Sequence, residues 1–88
     1  MILDITHEQK NFLVRSVLQD RKDLIDKVMS GCYLNRKKWQ LNVSYDTAID
    51  IGDMCSEMLQ LVGFDEHYAL TDEGRVLDEL IYLFNTAT

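Results

Sequence analysis

From Ser44 to Gly63 the chain reads SYDTAIDIGDMCSEMLQLVG, a stretch that places two unlike stripes on opposite sides of one helix. Counting roughly 100° per residue from Tyr45, the side chains of Ala48, Ile51, Cys55, Met58, Leu59 and Val62 fall within one arc of about 100° and form a core-facing stripe. Opposite them stand Asp46, Asp50, Asp53 and Glu57, at steps of four, three and four, with no Lys or Arg among them. Like charges at these spacings cost roughly 0.2 to 0.5 kcal/mol per pair. The positive end of the helix dipole favours Asp46 and in part Asp50, but it does not reach Asp53 or Glu57. Two readings of the column follow: a solvated face of an acidic protein, or a docking surface for a cationic partner. Ile49, Met54 and Leu61 flank the column outside the core arc, and interfaces mix apolar anchors with charge in this way.

A helix with one apolar stripe has to bury it against other elements, and 88 residues supply one small domain and one core, spanning 1–88. Proline is absent, and only four glycines interrupt the chain, so the fold class expected is mainly α, with three or four helices. The net charge of −6 is unevenly distributed. Residues 1–43 carry eight basic and five acidic side chains, a net +3, whereas residues 44–88 carry Arg75 against ten acids, a net −9. Such asymmetry bears on partners and encounter rates, not on fold.

Thr6-His7-Glu8-Gln9 has the form of a capping box, so a helix is expected from His7. Leu13, Val14, Val17 and Leu18 form its apolar stripe, and Leu24, Ile25, Val28 and Met29 continue it in nearly the same phase, interrupted by Arg21. One long helix over 7–30 and two helices broken near a capping Asp20 both satisfy this pattern, and Ser30-Gly31 ends it in either case. Residues 32–43 are the least helical part. Trp39, Leu41 and Val43 alternate, predicting a strand near 39–43, and a two-stranded ribbon with residues 67–70 is expected. Ser44 caps the central helix and Gly63 ends it. In the connector, Phe64, Tyr68 and Leu70 are expected to be buried and Asp65, Glu66 and His67 to form an exposed turn. Thr71 caps a last helix with Val76, Leu77, Leu80, Leu83 and Phe84 inward and Asp78 and Tyr82 outward.

No chemistry-bearing motif accompanies this pattern. There is no GxSxG, no glycine-rich phosphate loop and no HExxH. Asp65, Glu66, Asp72 and Glu73 miss the calcium-loop spacing. His7 and His67 read as ordinary surface histidines. Cys32 and Cys55, placed on apolar helix faces, read as buried reduced thiols, and the carboxylates flanking Cys55 disfavour a thiolate. The expectation is therefore a non-enzyme without cofactor or metal. The first residues lack a basic and apolar leader, and no run approaches a membrane span, so a cytoplasmic location is expected. Arg36, Lys37 and Lys38 are the one basic cluster, read as a solvated turn, a nucleic-acid contact, or a self-association partner for the acidic half.

Tyr68-Ala69-Leu70-Thr71-Asp72-Glu73-Gly74 resembles the step from the last wing strand into the final helix of a winged-helix domain, with MLQLVGF at the end of the recognition helix. Carried over residue by residue, that helix would turn Asp46, Asp50, Asp53 and Glu57 toward phosphates with no cation, so the resemblance implies a fold and not DNA binding through this helix. In type, a small acidic helical chain is similar to bacterial immunity proteins and other nuclease inhibitors, which implies a basic protein partner such as a toxin nuclease. Asp46, Asp50, Asp53 and Glu57, flanked by Ile49, Met54 and Leu61, would be the contacts. The alternative is a winged-helix-like regulator or assembly module that binds nucleic acid through Arg36, Lys37 and Lys38 or self-associates as a homodimer.

Overall fold

The structure, a computed structural model, describes residues 1–86. Strand β1 (Ile2–Thr6) leads directly into helix α1 (His7–Phe12). Thr6 closes the one and caps the other: its Oγ1 accepts from the Gln9 N–H at 3.0 Å, and its own N–H donates to Gln9 Oε1 at 2.9 Å. The capping box expected from the sequence is therefore present.

Beyond α1 the backbone passes through a π-helical turn at Leu13–Val17, turns, and enters α2 (Lys22–Met29). Residues 7–30 are thus two helices. The Leu18 N–H donates to the Leu13 carbonyl at 2.8 Å, a five-residue step that shifts the helical phase. An uninterrupted helix would carry Arg21 onto the buried stripe. After the turn Arg21 stays exposed, paired with Asp23 at 3.2 Å, while Leu18 and Leu24 are buried. Asp20 does not cap α2; the cap position is Arg21, without a side-chain bond.

Strands β2 (Cys32–Asn35) and β3 (Lys38–Asn42) form a hairpin, and β1 pairs with the other side of β3. The sheet is antiparallel in the order β1-β3-β2, with Leu3 opposite Leu41 and Ile5 opposite Trp39. These pairs turn one face of the sheet to the core, where Ile5 and Leu41 are fully buried. The expected ribbon between 39–43 and 67–70 does not form. Strand β3 takes β1 and β2 as partners, and the 64–70 segment contributes one isolated bridge between Phe64 and Leu70.

Helices α3 (Tyr45–Val62) and α4 (Asp72–Thr86) pack against one another and complete a mainly helical domain, with four helices and a short antiparallel sheet among the described residues. The core joins Leu13, Leu18 and Val28 to Ala48, Ile51 and Cys55 of α3 and to Leu77, Leu80 and Phe84 of α4. Burying side chains of this size contributes roughly 1.5 to 3 kcal/mol each, which is what holds so small a chain together. Among the described residues no helix is long and apolar enough to cross a membrane.

Five expected core positions lie outside it. Met29, at the end of α2, is 47% exposed. Val62, Phe64 and Leu70 are 39%, 45% and 38% exposed, and Tyr68 is 87% exposed. Val62 has the correct helical phase but stands in the last turn of α3, where the chain leaves the helix for the connector. The connector folds on itself instead of over the core. Cys32, expected on a buried helix face, is an exposed residue of the edge strand β2, whereas Cys55 is buried as expected.

Candidate functional site

The acidic column depends on the placement of α3. Ser44 caps the helix, its Oγ accepting from the Thr47 N–H at 3.2 Å, and Lys27 of α2 donates to Thr47 Oγ1 at 3.3 Å, which ties the start of α3 to the preceding helix. Once the apolar stripe of α3 is buried, the opposite face has to point to solvent. Asp46, Asp50, Asp53 and Glu57 are all exposed, and neither side-chain ion pair among the described residues involves them. Arg21 senses the column: its pKa is raised first by its hydrogen bond to Asp23 and to a lesser extent by the charge of Asp50. Among the described residues, Asp53 and Glu57 make no ion pair. The three neighbouring like-charge pairs therefore cost the isolated domain roughly 1 kcal/mol in all.

The flanking residues divide. Ile49 is exposed, and Leu61 is 82% exposed and lies one turn beyond Glu57, so it extends the column as an apolar step. Met54 is half-buried against the core and is not a free anchor. Past Leu61, the sequence reading missed a continuation of this surface. Gly63 ends α3, its N–H donating to the Leu59 carbonyl at 2.9 Å, and Val62, Phe64, Tyr68 and Leu70 are exposed around the following turn. Asp65 organises that turn: its Oδ1 accepts from the N–H groups of His67 at 2.8 Å and Ala69 at 3.1 Å. Tyr68 adopts a left-handed backbone with φ of 62°, a conformation that costs a non-glycine residue about 1 to 2 kcal/mol. At the base, the Thr71 N–H donates to the Gly63 carbonyl, and α4 begins with the Gly74 N–H donating to Thr71 Oγ1. A β-carbon at Gly74 would be driven into the backbone of Gly63, so the two segments touch through glycine. The sequence signal for exposure was the dense run of Asp65, Glu66 and His67, which cannot sit over a core.

The basic cluster occupies the tip of the β2–β3 hairpin. Asn35 Oδ1 accepts from the Lys37 and Lys38 N–H groups at 2.9 and 3.0 Å, which fixes the turn and leaves Arg36, Lys37 and Lys38 exposed. The hairpin is held against α1: the His7 N–H donates to the Lys37 carbonyl, His7 Nε2 lies 3.0 Å from the Asn35 carbonyl, and the Lys10 ammonium sits 4.3 Å from the centre of a Trp39 ring. Trp39 Nε1 donates to the Val28 carbonyl at 3.0 Å and thereby joins the hairpin to α2. His7 is half-buried, with its ring 5.1 Å from that of Tyr33; it is part of the hairpin's seating and not a free surface histidine. Tyr33 and Leu34 beside the tip are exposed.

A cleft of about 610 Å³ lies between the sheet and α4, lined by Asp4, Lys38, Asp78, Glu79 and Tyr82 among others. The Gln9 amide donates to Glu79 Oε2 at 3.3 Å across one side of it. Among the described residues no three His, Cys, Asp or Glu side chains converge as a metal-binding group. Burial pushes the Cys55 thiol up to about 12, so it stays protonated and unreactive at neutral pH. Comparison with protein-family models, with curated proteins and with solved structures returned no match for this chain.

Proposed function

We propose that the domain is a non-enzymatic protein-binding module that docks the acidic face of α3 onto a basic partner, in the manner of an inhibitor or immunity protein opposing a cationic toxin such as a nuclease. The observation that carries this reading is the column itself: four exposed carboxylates on one rigid helix, uncompensated at Asp53 and Glu57, running into the exposed Leu61. Carboxylates spaced along such a helix can stand in for a phosphate backbone in a basic cleft, and complementary fields accelerate encounter. A cationic partner would also relieve the repulsion within the column. Asp50, Asp53 and Glu57 make the central contacts, with Asp46 peripheral and Ile49 and Leu61 as apolar flanks.

The test is co-expression. The product of the neighbouring gene is produced in a bacterium with this chain, without it, and with the Asp50→Lys/Asp53→Lys variant. Protection and co-purification by the wild-type chain, lost with the variant, are the expected results. A harmless neighbour that never co-purifies would remove the inhibitor reading.

A second reading is favoured by the other half of the molecule. A strand, two helices and a hairpin in the sheet order β1-β3-β2 carry Arg36, Lys37 and Lys38 exposed at the hairpin tip. That arrangement suits a regulator that touches nucleic-acid phosphates through the tip. Asp23 and Asp26 on α2, and Asp50 near Arg21, weigh against deep engagement of α2 in a groove. Duplex DNA retarded at low salt, and released on replacing the three basic residues, is the outcome this reading requires.

A further inference from the structure

We infer that the α3–α4 connector of one copy docks on the β2–β3 hairpin of a second copy, so that the chain self-associates head to tail. The two surfaces are complementary in charge. The last turn of α3 and the connector display Leu61, Phe64 and Tyr68 beside Asp65 and Glu66, whereas the hairpin displays Tyr33 and Leu34 beside Arg36 and Lys37. The first belongs to the half of the sequence with net charge −9 and the second to the half with +3. An apolar patch rimmed by one sign of charge fits a patch of similar character rimmed by the other, and the rims reject like-with-like pairing. The interface is therefore heterologous, joining different surfaces of the two copies.

Both surfaces are fixed before contact. The connector is held by Asp65 and closed on Gly63, and among the described residues its hydrogen bonds run to itself, Val62, Gly63 and the start of α4. The hairpin turn is held by Asn35 and seated on α1 through His7. Neither needs to order on binding, which lowers the entropic cost of association. Strand β2 is an edge strand with all four residues exposed, so among the described residues the hairpin side of the proposed contact is open. Leu61 is shared with the flank of the acidic column, but Tyr68, Arg36 and Lys37 are not, so the Tyr68→Gly and hairpin variants bear on this surface whether or not the column binds a foreign partner.

A head-to-tail contact makes a prediction that a two-fold symmetric dimer does not. In sedimentation velocity at low ionic strength, the wild-type chain should sediment faster than a monomer as its concentration rises. A Leu61→Ser/Tyr68→Ser variant, with its connector damaged, and an Arg36→Glu/Lys37→Glu variant, with its hairpin damaged, should each remain monomeric to at least about tenfold higher concentration. Mixed in equal amounts, they should form a one-to-one dimer and stop there, because one intact connector meets one intact hairpin and no second pair remains. Circular dichroism and thermal unfolding establish that both variants are folded. Should the connector variant unfold, Tyr68→Gly removes the ring while suiting the left-handed turn, and it should weaken association at least about threefold. A wild-type chain that stays monomeric, a single variant that still associates fully, or a mixture that stays monomeric would each overturn the inference.

Discussion

The β2–β3 turn and the α3–α4 connector are built with the same device and display opposite chemistry. In each, one short side-chain oxygen accepts from two backbone N–H groups: Asn35 serves Lys37 and Lys38, and Asp65 serves His67 and Ala69. Each turn is then tied at its base, the hairpin to α1 through His7 and the connector to itself through Gly63 and Thr71. One presents Arg36 and Lys37, the other Phe64, Glu66 and Tyr68. The difference lies in what supports them. The hairpin rests on a partly buried Trp39 and on two helices, whereas the connector projects from the end of one helix pair and stands on a glycine contact. A turn supported by packing tolerates many side chains at its tip, while a self-supported turn that also holds a tyrosine in a left-handed conformation displays that residue at a cost in stability.

The sharpest way to break the comparison is at the glycine contact. Gly74→Ala should destabilise the domain by about 3 kcal/mol, because backbone has to move away from backbone. Hydrogen exchange should accelerate first in residues 63–71, with the hairpin amides protected; equal acceleration at both turns would deny that they are separately supported. Next in size, Asp65→Ala and Asn35→Ala should each cost about 1 kcal/mol in chemical denaturation, since each removes the acceptor of two turn amides. Tyr68→Gly acts in the opposite direction. It should stabilise the chain by up to about 1 kcal/mol, the left-handed penalty being partly offset by the greater freedom of glycine when unfolded. A loss of stability would mean that the exposed ring makes contacts that matter to the fold. The smallest effect is on reactivity and not on stability. At neutral pH a thiol reagent should label Cys32 quickly and Cys55 only after unfolding, because burial holds the Cys55 thiol protonated.

How much of this was legible in the sequence depended on whether the determinants were local. The two stripes of α3 and the caps at Thr6, Ser44 and Thr71 needed only neighbours within a few residues, and they stand where periodicity and capping rules place them. Strand β1 was not legible: five residues whose partner strand lies more than thirty positions along carry too little alternation to stand out. The break between α1 and α2 was open for a related reason, since the phase shift at Leu13–Val17 has no proline or glycine to announce it. At the site, helical spacing sufficed to place Asp46, Asp50, Asp53 and Glu57 on one exposed face. Spacing could not show that Met54 leans on the core, or that Phe64 and Tyr68 turn outward. Those outcomes depend on how α4 and the connector pack beside α3, which is a tertiary fact.

The acidic face carries a signature that separates a docking surface from a solvated one. Repulsion within the column means that Asp53→Lys should stabilise the free domain by about 0.5 kcal/mol while weakening its complex. The most direct measurement is therefore the dissociation constant of the purified, co-expressed partner for the wild-type chain and for Asp50→Lys/Asp53→Lys, taken across a range of salt, with the unfolding free energy of both free proteins beside it. The proposed docking predicts a variant at least as stable as the wild type whose complex is weaker by about 2 kcal/mol or more and depends less on salt. An unchanged dissociation constant at every salt concentration would contradict it and leave the column as a solvated face.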